Sequence, residues 1–221
     1  MEQKRRTRTW CGFLLLLVLL AIFLIWNLFA GSVQLSASQI GQILLGGGDD
    51  LTQKQIIMQI RLPRMASALI LGGALSVSGY LLQTFFHNPI AGPFVLGISS
   101  GAKLAVSIAM IVFLSRGVRS SSALLISAAF IGAMLSMGFV LAISRKVRRM
   151  SLLVVCGVMI GYICTALTDF IVTFADDSNI VNLHNWSLGS FSGMSWENVR
   201  TMVLVCGAAL VLAFFLSKPI R

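Results

Sequence analysis

The apolar residues of the chain fall into six stretches that are separated by short polar segments. Each stretch is close to the roughly 20 residues with which an α-helix crosses a bilayer. These lengths predict six membrane-spanning helices, at Cys11–Ala30, Met65–Phe86, Phe94–Leu114, Ser122–Ser144, Ser151–Phe174 and Thr201–Ser217. The pattern indicates an all-α polytopic membrane protein that forms one transmembrane domain over residues 1–221.

The polar segment after the first span carries two short helix signals. Ser36 and Gln39 have the spacing of a capping box, and apolar residues follow them at helical intervals. Thr52 and Gln55 repeat that spacing before a second apolar group. We therefore expect two short helices that lie along the outer surface of the membrane.

The second span begins next to two arginines and carries a stripe of small and polar residues. Arg61 and Arg64 flank Pro63, which fits the first turn of a helix because its missing N–H costs nothing there. Steps of three and four residues place the stripe on one face, at Ala68, Gly72, Ser76, Gly79 and Gln83. Such a face suits either helix packing or an aqueous route. Gln83 favours the route, because its amide is too large for tight packing.

A turn follows the second span, and the stripe of small residues has a counterpart in the fifth span. Asn88 and Pro89 are predicted to shape the turn, since Asn bonds its own backbone and Pro stops a helix. In the fifth span Gly157, Gly161 and Thr165 share one face. These three residues are candidates for packing or for lining a route between helices.

Composition and charge exclude a soluble protein and support a membrane orientation. With 57% hydrophobic and 11% charged residues, the chain lacks the roughly one quarter of charged residues typical of soluble domains. The net charge of +10 does not indicate nucleic-acid binding, because the basic residues stand at the ends of spans. The positive-inside rule predicts cytoplasmic termini. The basic residues assigned to the inner side are Lys4, Arg5, Arg6, Arg8, Arg145, Lys146, Arg148, Arg149, Lys218 and Arg221.

The chain carries little catalytic chemistry. No phosphate-binding loop of the type G-x-x-x-x-G-K-[ST] occurs in these residues. His87 and His184 fall on opposite sides of the predicted membrane, so neither a nucleophile–base pair nor a bis-histidine haem site is expected. Lys103 is the one lysine or arginine within a span. It either snorkels to the surface or lines a route for anionic solutes. We predict no enzyme activity, no metal site and no cofactor bound by this chain.

Several blocks of the sequence, in order, resemble the FecCD-type permeases, which are membrane subunits of ABC importers for iron–siderophore complexes, haem and vitamin B12. The likeness runs from about Gln34 to the end of the chain. It is carried by residues 61–64 (RLPR), residues 73–79 (GALSVSG), Gln83, residues 88–91 (NPIA), residues 96–102 (LGISSGA) and residues 186–191 (WSLGSF) with Trp196.

The resemblance implies a permease subunit that imports ferric siderophores through the plasma membrane. It implies three partners: an ABC ATPase that hydrolyses ATP, an extracytoplasmic substrate-binding protein, and a second permease in a homodimer or heterodimer. In this family the arginines at the positions of Arg61 and Arg64 form salt bridges to carboxylates of the binding protein. Haem or vitamin B12 remain alternative substrates.

Members of that family usually have about ten membrane helices, and the segment after the sixth contacts the ATPase. The chain ends at Arg221, before that segment. We therefore expect the N-terminal part of the ten-helix fold, either as a fragment, as one of two complementary polypeptides, or as a truncated membrane protein that does not transport.

Overall fold

The computed structural model of the protein describes residues 2–47, 50–114, 122–147 and 149–217. Arg148, Lys218 and Arg221, which the orientation prediction uses, lie outside these ranges. The described chain forms helices and contains no strand, so the predicted all-α fold is confirmed. Its helices are α1 (Glu2–Phe29), α2 (Ala37–Leu44), α3 (Leu51–Gln55), α4 (Leu62–Phe86), α5 (Ile98–Leu114), α6 (Ser122–Ser144), α7 (Met150–Thr173), α8 (Asp177–Leu188) and α9 (Trp196–Ser217).

Within the described ranges, five helical runs are long and apolar enough to cross a membrane. They are Gln3–Phe29, Leu51–Phe86, Ser122–Ser144, Met150–Thr173 and Trp196–Leu216. The third predicted span is also helical, but its apolar part is the shorter Ile98–Phe113. It begins later than predicted, because Gly97 adopts a φ of +73°, a left-handed conformation that ends the preceding turn.

The first predicted surface helix is present. Helix α2 begins after Ser36, whose hydroxyl accepts the N–H of Gln39, while the Gln39 side chain accepts the N–H of Ser36 at 2.8 Å. This is the capping box that the sequence predicts. The helix buries Ile40 and Ile43 against Leu35 and Ile57, so its apolar face is covered within the chain.

The second predicted surface helix is not a separate element, and this prediction was wrong. Asp50 caps α3 instead of Thr52, because its carboxylate accepts the N–H groups of Thr52, at 2.9 Å, and Gln53, at 3.3 Å. Helix α3 then continues through a turn of π-helix, Ile56–Arg61, directly into α4. Pro63 therefore lies inside a continuous helical run and not at the start of a helix.

The chain divides into two compact units. The terminal unit comprises Met1–Ala74 with Phe191–Arg221, and the central unit comprises Leu75–Ser190. The boundary falls inside α4. The prediction of a single domain stays a prediction.

In the central unit, glycines let α5 approach its neighbours closely. A Cβ on Gly132 of α6 would lie 2.6 Å from the Cβ of Ala105 on α5 and would also collide with the carbonyl of Gly101. A Cβ on Gly97 would lie 2.7 Å from the carbonyl oxygen of Gly157 and from the N–H nitrogen of Gly161, both on α7. Close approach through small residues is how helices associate where lipid removes the hydrophobic driving force.

The long helices of the terminal unit are mostly uncovered. In α1 the side chains from Gln3 to Phe23 are exposed, and in α9 exposed residues include Leu204, Leu212 and Phe215. Exposed apolar helices of this length are stable in a bilayer, where lipid covers them. The small core of this unit lies at one end, where Leu28, Met58 and Leu62 pack around the residues buried by α2.

Candidate functional site

Arg61 is an internal residue of the terminal unit. Its side chain is only 4% exposed. The guanidinium donates through Nη1 to the carbonyl of Leu28 and through Nη2 to the carbonyl of Val33, at 2.5 Å. Leu28 belongs to the last turn of α1, whose final carbonyls have no intrahelical donor, and a cation is favourable at that end. Arg61 therefore caps α1 and ties it to the π turn.

Gly31 makes room for this contact. A Cβ at residue 31 would lie 2.7 Å from Nη2 of Arg61. Any larger residue would displace the guanidinium from the two carbonyls. Sequence reasoning missed Gly31, because a glycine just beyond a helix end is common for purely local reasons.

Arg64 differs from Arg61 in exposure. Its side chain is half-buried, and within the described residues it has no hydrogen-bond or ion-pair partner. Of the two arginines predicted to dock a binding protein, only Arg64 thus presents an available cation. The docking role of the pair stays a prediction.

The small stripe on α4 is open rather than packed. Ala68, Gly72, Ser76 and Gln83 are exposed, and Gly79 is half-exposed. A Cβ added at Gly72 or at Gly79 would meet no atom within 4 Å. The face is therefore accessible. A residue that lines a route must be accessible, whereas a residue in a tight helix contact would be covered.

The turn after α4 is built by Asn88. Its side-chain oxygen accepts the N–H of Ile90 at 3.0 Å, and its carbonyl accepts the N–H of Ala91 at 3.1 Å. His87 immediately before it has a φ of 49°, which a non-glycine residue rarely adopts. Pro89 is exposed. These hydrogen bonds give Asn88 a structural role in the turn, and neither Asn88 nor Pro89 needs to contact a solute for that role.

A groove of about 340 Å³ in the central unit lies between the start of α5 and the middle of α7. Its polar groups are hydroxyls, and Thr165 uses its own to donate to the carbonyl of Gly161 at 2.9 Å. Without a charged side chain, the groove can bind uncharged and aromatic surfaces of a solute. Its lining residues are Phe94, Val95, Ser100, Val158, Gly161, Tyr162 and Thr165.

The groove gathers some of the predicted route residues and leaves others outside. Gly161 and Thr165 line it, whereas Gly157 is buried against Leu96, with a hypothetical Cβ 3.0 Å from the Leu96 Cα. Lys103 is half-buried in α5 and does not line the groove. Sequence reasoning missed Ser100 and Tyr162 as lining residues. Ser100 stands in a block that resembles a permease motif, but its contact with Gly161 depends on the fold.

The described residues contain no group of three or more His, Cys, Asp or Glu side chains that could hold a metal ion.

Comparisons with known proteins agree with these features. A model of the FecCD transport family matches residues 18–221. The chain is similar to the vitamin B12 import system permease protein BtuC of Klebsiella pneumoniae, with 36% identity over 201 residues, 91% of this chain and 57% of that protein. BtuC of Salmonella paratyphi A is 34% identical over 202 residues, which cover 91% of this chain and 58% of that protein.

A solved structure is similar as well. An inward-facing ABC transporter assigned to the metal-chelate type superposes with a TM-score of 0.66 and 28% identity, over 83% of this chain and 55% of the other. The chain spans 57% and 58% of the length of the two BtuC relatives. The family match, the identities and the shared helical fold lead to one conclusion: this chain is an integral membrane protein that belongs to the FecCD transport family.

Proposed function

We propose that the chain forms the membrane-spanning part of the permease subunit of a binding-protein-dependent ABC importer. The family match over residues 18–221 is the observation that carries this proposal. In this proposal ATP is hydrolysed by a separate ABC ATPase subunit, as the match to a permease family supports. The permease works as a dimer in the plasma membrane, with its N-terminus in the cytoplasm.

Purification from the native membrane tests the assembly. We expect an ABC ATPase and a second permease polypeptide, either identical or different, to copurify with the tagged chain. A chain that purifies alone from cells with active uptake would instead support the alternative of a membrane protein that does not transport. Labelling of a single cysteine placed at residue 4 or at residue 46, from either side of the membrane, tests the orientation.

Docking of the substrate-binding protein depends on Arg64 in this proposal. Arg64 is partly exposed and has no partner in the described chain, so it is available to an acidic patch. Arg61 supports it from inside by holding the π turn next to it. We expect Arg64→Glu to abolish uptake at an unchanged level of protein in the membrane. Normal uptake by that variant would exclude the docking role.

The route for the solute follows the open stripe of α4 and the hydroxyl-lined groove. Both surfaces are accessible, and both lack charged side chains. Single cysteines at positions 68, 72, 76, 79 and 83, in a background without the four native cysteines, should react with a water-soluble thiol reagent in at least one transport state. Protection of all five positions in every state would exclude this face from the route.

The substrate we propose is a ferric siderophore. Lys103 does not line the groove, and a lysine inside a span is costly unless it reaches the membrane surface or faces a polar route. In this proposal it faces the route and favours an anionic complex. We expect Lys103→Met to weaken uptake of anionic ferric chelates more than uptake of neutral ones. An equal loss of uptake for anionic and neutral chelates would show that Lys103 does not favour an anionic substrate.

Vitamin B12 is the second candidate, because the BtuC relatives carry that substrate in their names. Haem is a third substrate of the same family. Uptake of radioactive iron in a siderophore, compared with radioactive cobalt in vitamin B12, distinguishes the first two in cells that express the complete importer.

A further inference from the structure

The π turn before α4 leaves the backbone carbonyl of Met58 without a donor from its own helix. At the end of this turn the N–H of Leu62 donates to the carbonyl of Ile57, five residues earlier. The next bond of that series would join residue 63 to the carbonyl of Met58, but Pro63 has no N–H. The α-helical donor for Met58 is the N–H of Leu62, which already binds Ile57. The Met58 carbonyl is thus open in either pattern.

Trp196 supplies the missing donor. Its indole Nε1 donates to the Met58 carbonyl at 2.7 Å, across 138 residues of sequence. An indole N–H is a donor only, so it matches a carbonyl that lacks a partner. Trp196 is the first residue of α9, and both residues belong to the terminal unit. We refer to the bond between Trp196 and Met58, beside Pro63, as the tryptophan latch.

The latch at Met58 precedes both arginines that the sequence singles out, Arg61 by three residues and Arg64 by six. Arg61 ends the π turn and is held by the carbonyls of Leu28 and Val33, while Arg64 follows in α4. If the π turn relaxed to α-helix, the Leu62 N–H would move to the Met58 carbonyl. That change would rotate the residues on one side relative to the other by about 100°, the angle per residue of an α-helix. The latch opposes this exchange by occupying the Met58 carbonyl.

We infer that Trp196 is a positioning residue for Arg64. By filling the carbonyl that Pro63 leaves open, it holds the π turn and so fixes the direction in which Arg64 leaves α4 relative to the anchored Arg61. Single π turns inside helices are common at functional sites, which agrees with this role. The functional consequence rests on the proposed docking role of Arg64, whereas the latch itself can be tested without the binding partner.

A double-mutant cycle on the full chain in lipid nanodiscs tests the latch. Trp196→Phe keeps the aromatic ring and removes only the donor. We expect amide hydrogen exchange in residues 56–64 to rise about threefold to tenfold, as expected for the loss of one hydrogen bond. Trp186→Phe in α8 is the matched control and should leave that exchange unchanged.

Pro63→Ala provides the rescue. It restores an N–H at residue 63, which continues the π pattern by donating to the Met58 carbonyl, so that this carbonyl no longer needs Trp196. In the Pro63→Ala background, Trp196→Phe should therefore change exchange by less than about twofold. The same rise in both backgrounds would overturn the latch, because a merely structural tryptophan would not be rescued by a donor at residue 63.

Uptake by the complete importer tests the consequence for Arg64. We expect Trp196→Phe to reduce uptake several-fold at an unchanged level of protein in the membrane. Unchanged uptake, together with a positive exchange cycle, would overturn the positioning role. If Arg64→Glu itself leaves uptake intact, the proposed docking function has failed instead, and the exchange cycle still decides whether the latch exists.

Discussion

The two units of the chain hold their helices by different means. In the central unit α5 approaches α6 and α7 through glycines, and backbone and small side chains are in direct contact. In the terminal unit the ties are hydrogen bonds from long side chains to carbonyls, namely Arg61 to Leu28 and Val33, and Trp196 to Met58. Helix contacts in the central unit depend on the small size of glycine, whereas these two contacts in the terminal unit depend on side-chain hydrogen-bond donors.

This difference predicts how each unit responds to mutation. Backbone contacts cannot yield when a side chain is added, because the atoms that collide are fixed by the helices themselves. A hydrogen bond to an open carbonyl can be lost without a collision, at the cost of one or two unsatisfied groups. We therefore expect volume changes to have the largest effects in the central unit and donor removal to have moderate effects in the terminal unit.

Gly132→Val is expected to have the largest effect. Its side chain would collide with the Gly101 backbone and with Ala105, so we expect a destabilisation of about 3 kcal/mol or more and little folded protein in detergent. Gly138→Val is the matched control on the same helix, since a Cβ at Gly138 meets nothing within 4 Å. Equal melting temperatures for the two variants would contradict the close approach of α5 and α6.

Gly97→Ala is expected to have the second-largest effect on stability. The substitution strains a backbone with a φ of +73° and pushes against α7, for which we expect a loss of about 2–3 kcal/mol. Gly92→Ala is the control, because a Cβ there meets no atom within 4 Å and the φ of Gly92 is not positive. The melting temperature of each variant in detergent measures the difference.

Arg61→Gln should destabilise the terminal unit by about 2 kcal/mol, because the carbonyls of Leu28 and Val33 lose their guanidinium donor. Arg64→Gln, three residues further on, should leave the melting temperature nearly unchanged. The order reverses for uptake, where loss of the Arg64 charge is expected to matter more at equal protein levels. Equal thermal stability of the two variants would show that Arg61 does not cap α1.

Asp50→Ala should have the smallest of these effects, about 1 kcal/mol, because it removes the side chain that caps α3. Thr52→Ala should cost nothing measurable, although the sequence pattern predicts Thr52 as the cap. Thermal unfolding of the two variants side by side decides which residue starts the helix. A larger loss for Thr52→Ala would restore the sequence-based prediction.

Much of the fold was predictable from local sequence. Ser36 and Gln39 formed the predicted capping box, and the long apolar stretches became helices whose ends agree with the prediction, although several of their starts do not. The failures arose where two local signals competed or where a turn was shaped by its neighbours. Asp50 replaced Thr52 as the cap, and the left-handed Gly97 delayed the start of α5.

The candidate site was predictable only in part, because local spacing does not show which residues meet another helix. Sequence placed Gly161 and Thr165 on one face of α7, and the groove includes both. It could not separate Gly157, which packs on Leu96, from Gly161, because both satisfy the same helical spacing. It also treated Arg61 and Arg64 alike, since neither spacing nor residue type reveals which guanidinium meets a carbonyl of another helix.

Sequence alone determined that this protein consists of apolar helices, because bilayer length, helical spacing and caps act over a few neighbouring residues, and its motif blocks carried the resemblance to a transport family. Tertiary structure decided that Arg61 is internal, that certain glycines are contact points, and that Trp196 serves a carbonyl 138 residues away. Those outcomes depend on which groups remain without a partner once the helices have met, and that information is not local to any stretch of the chain.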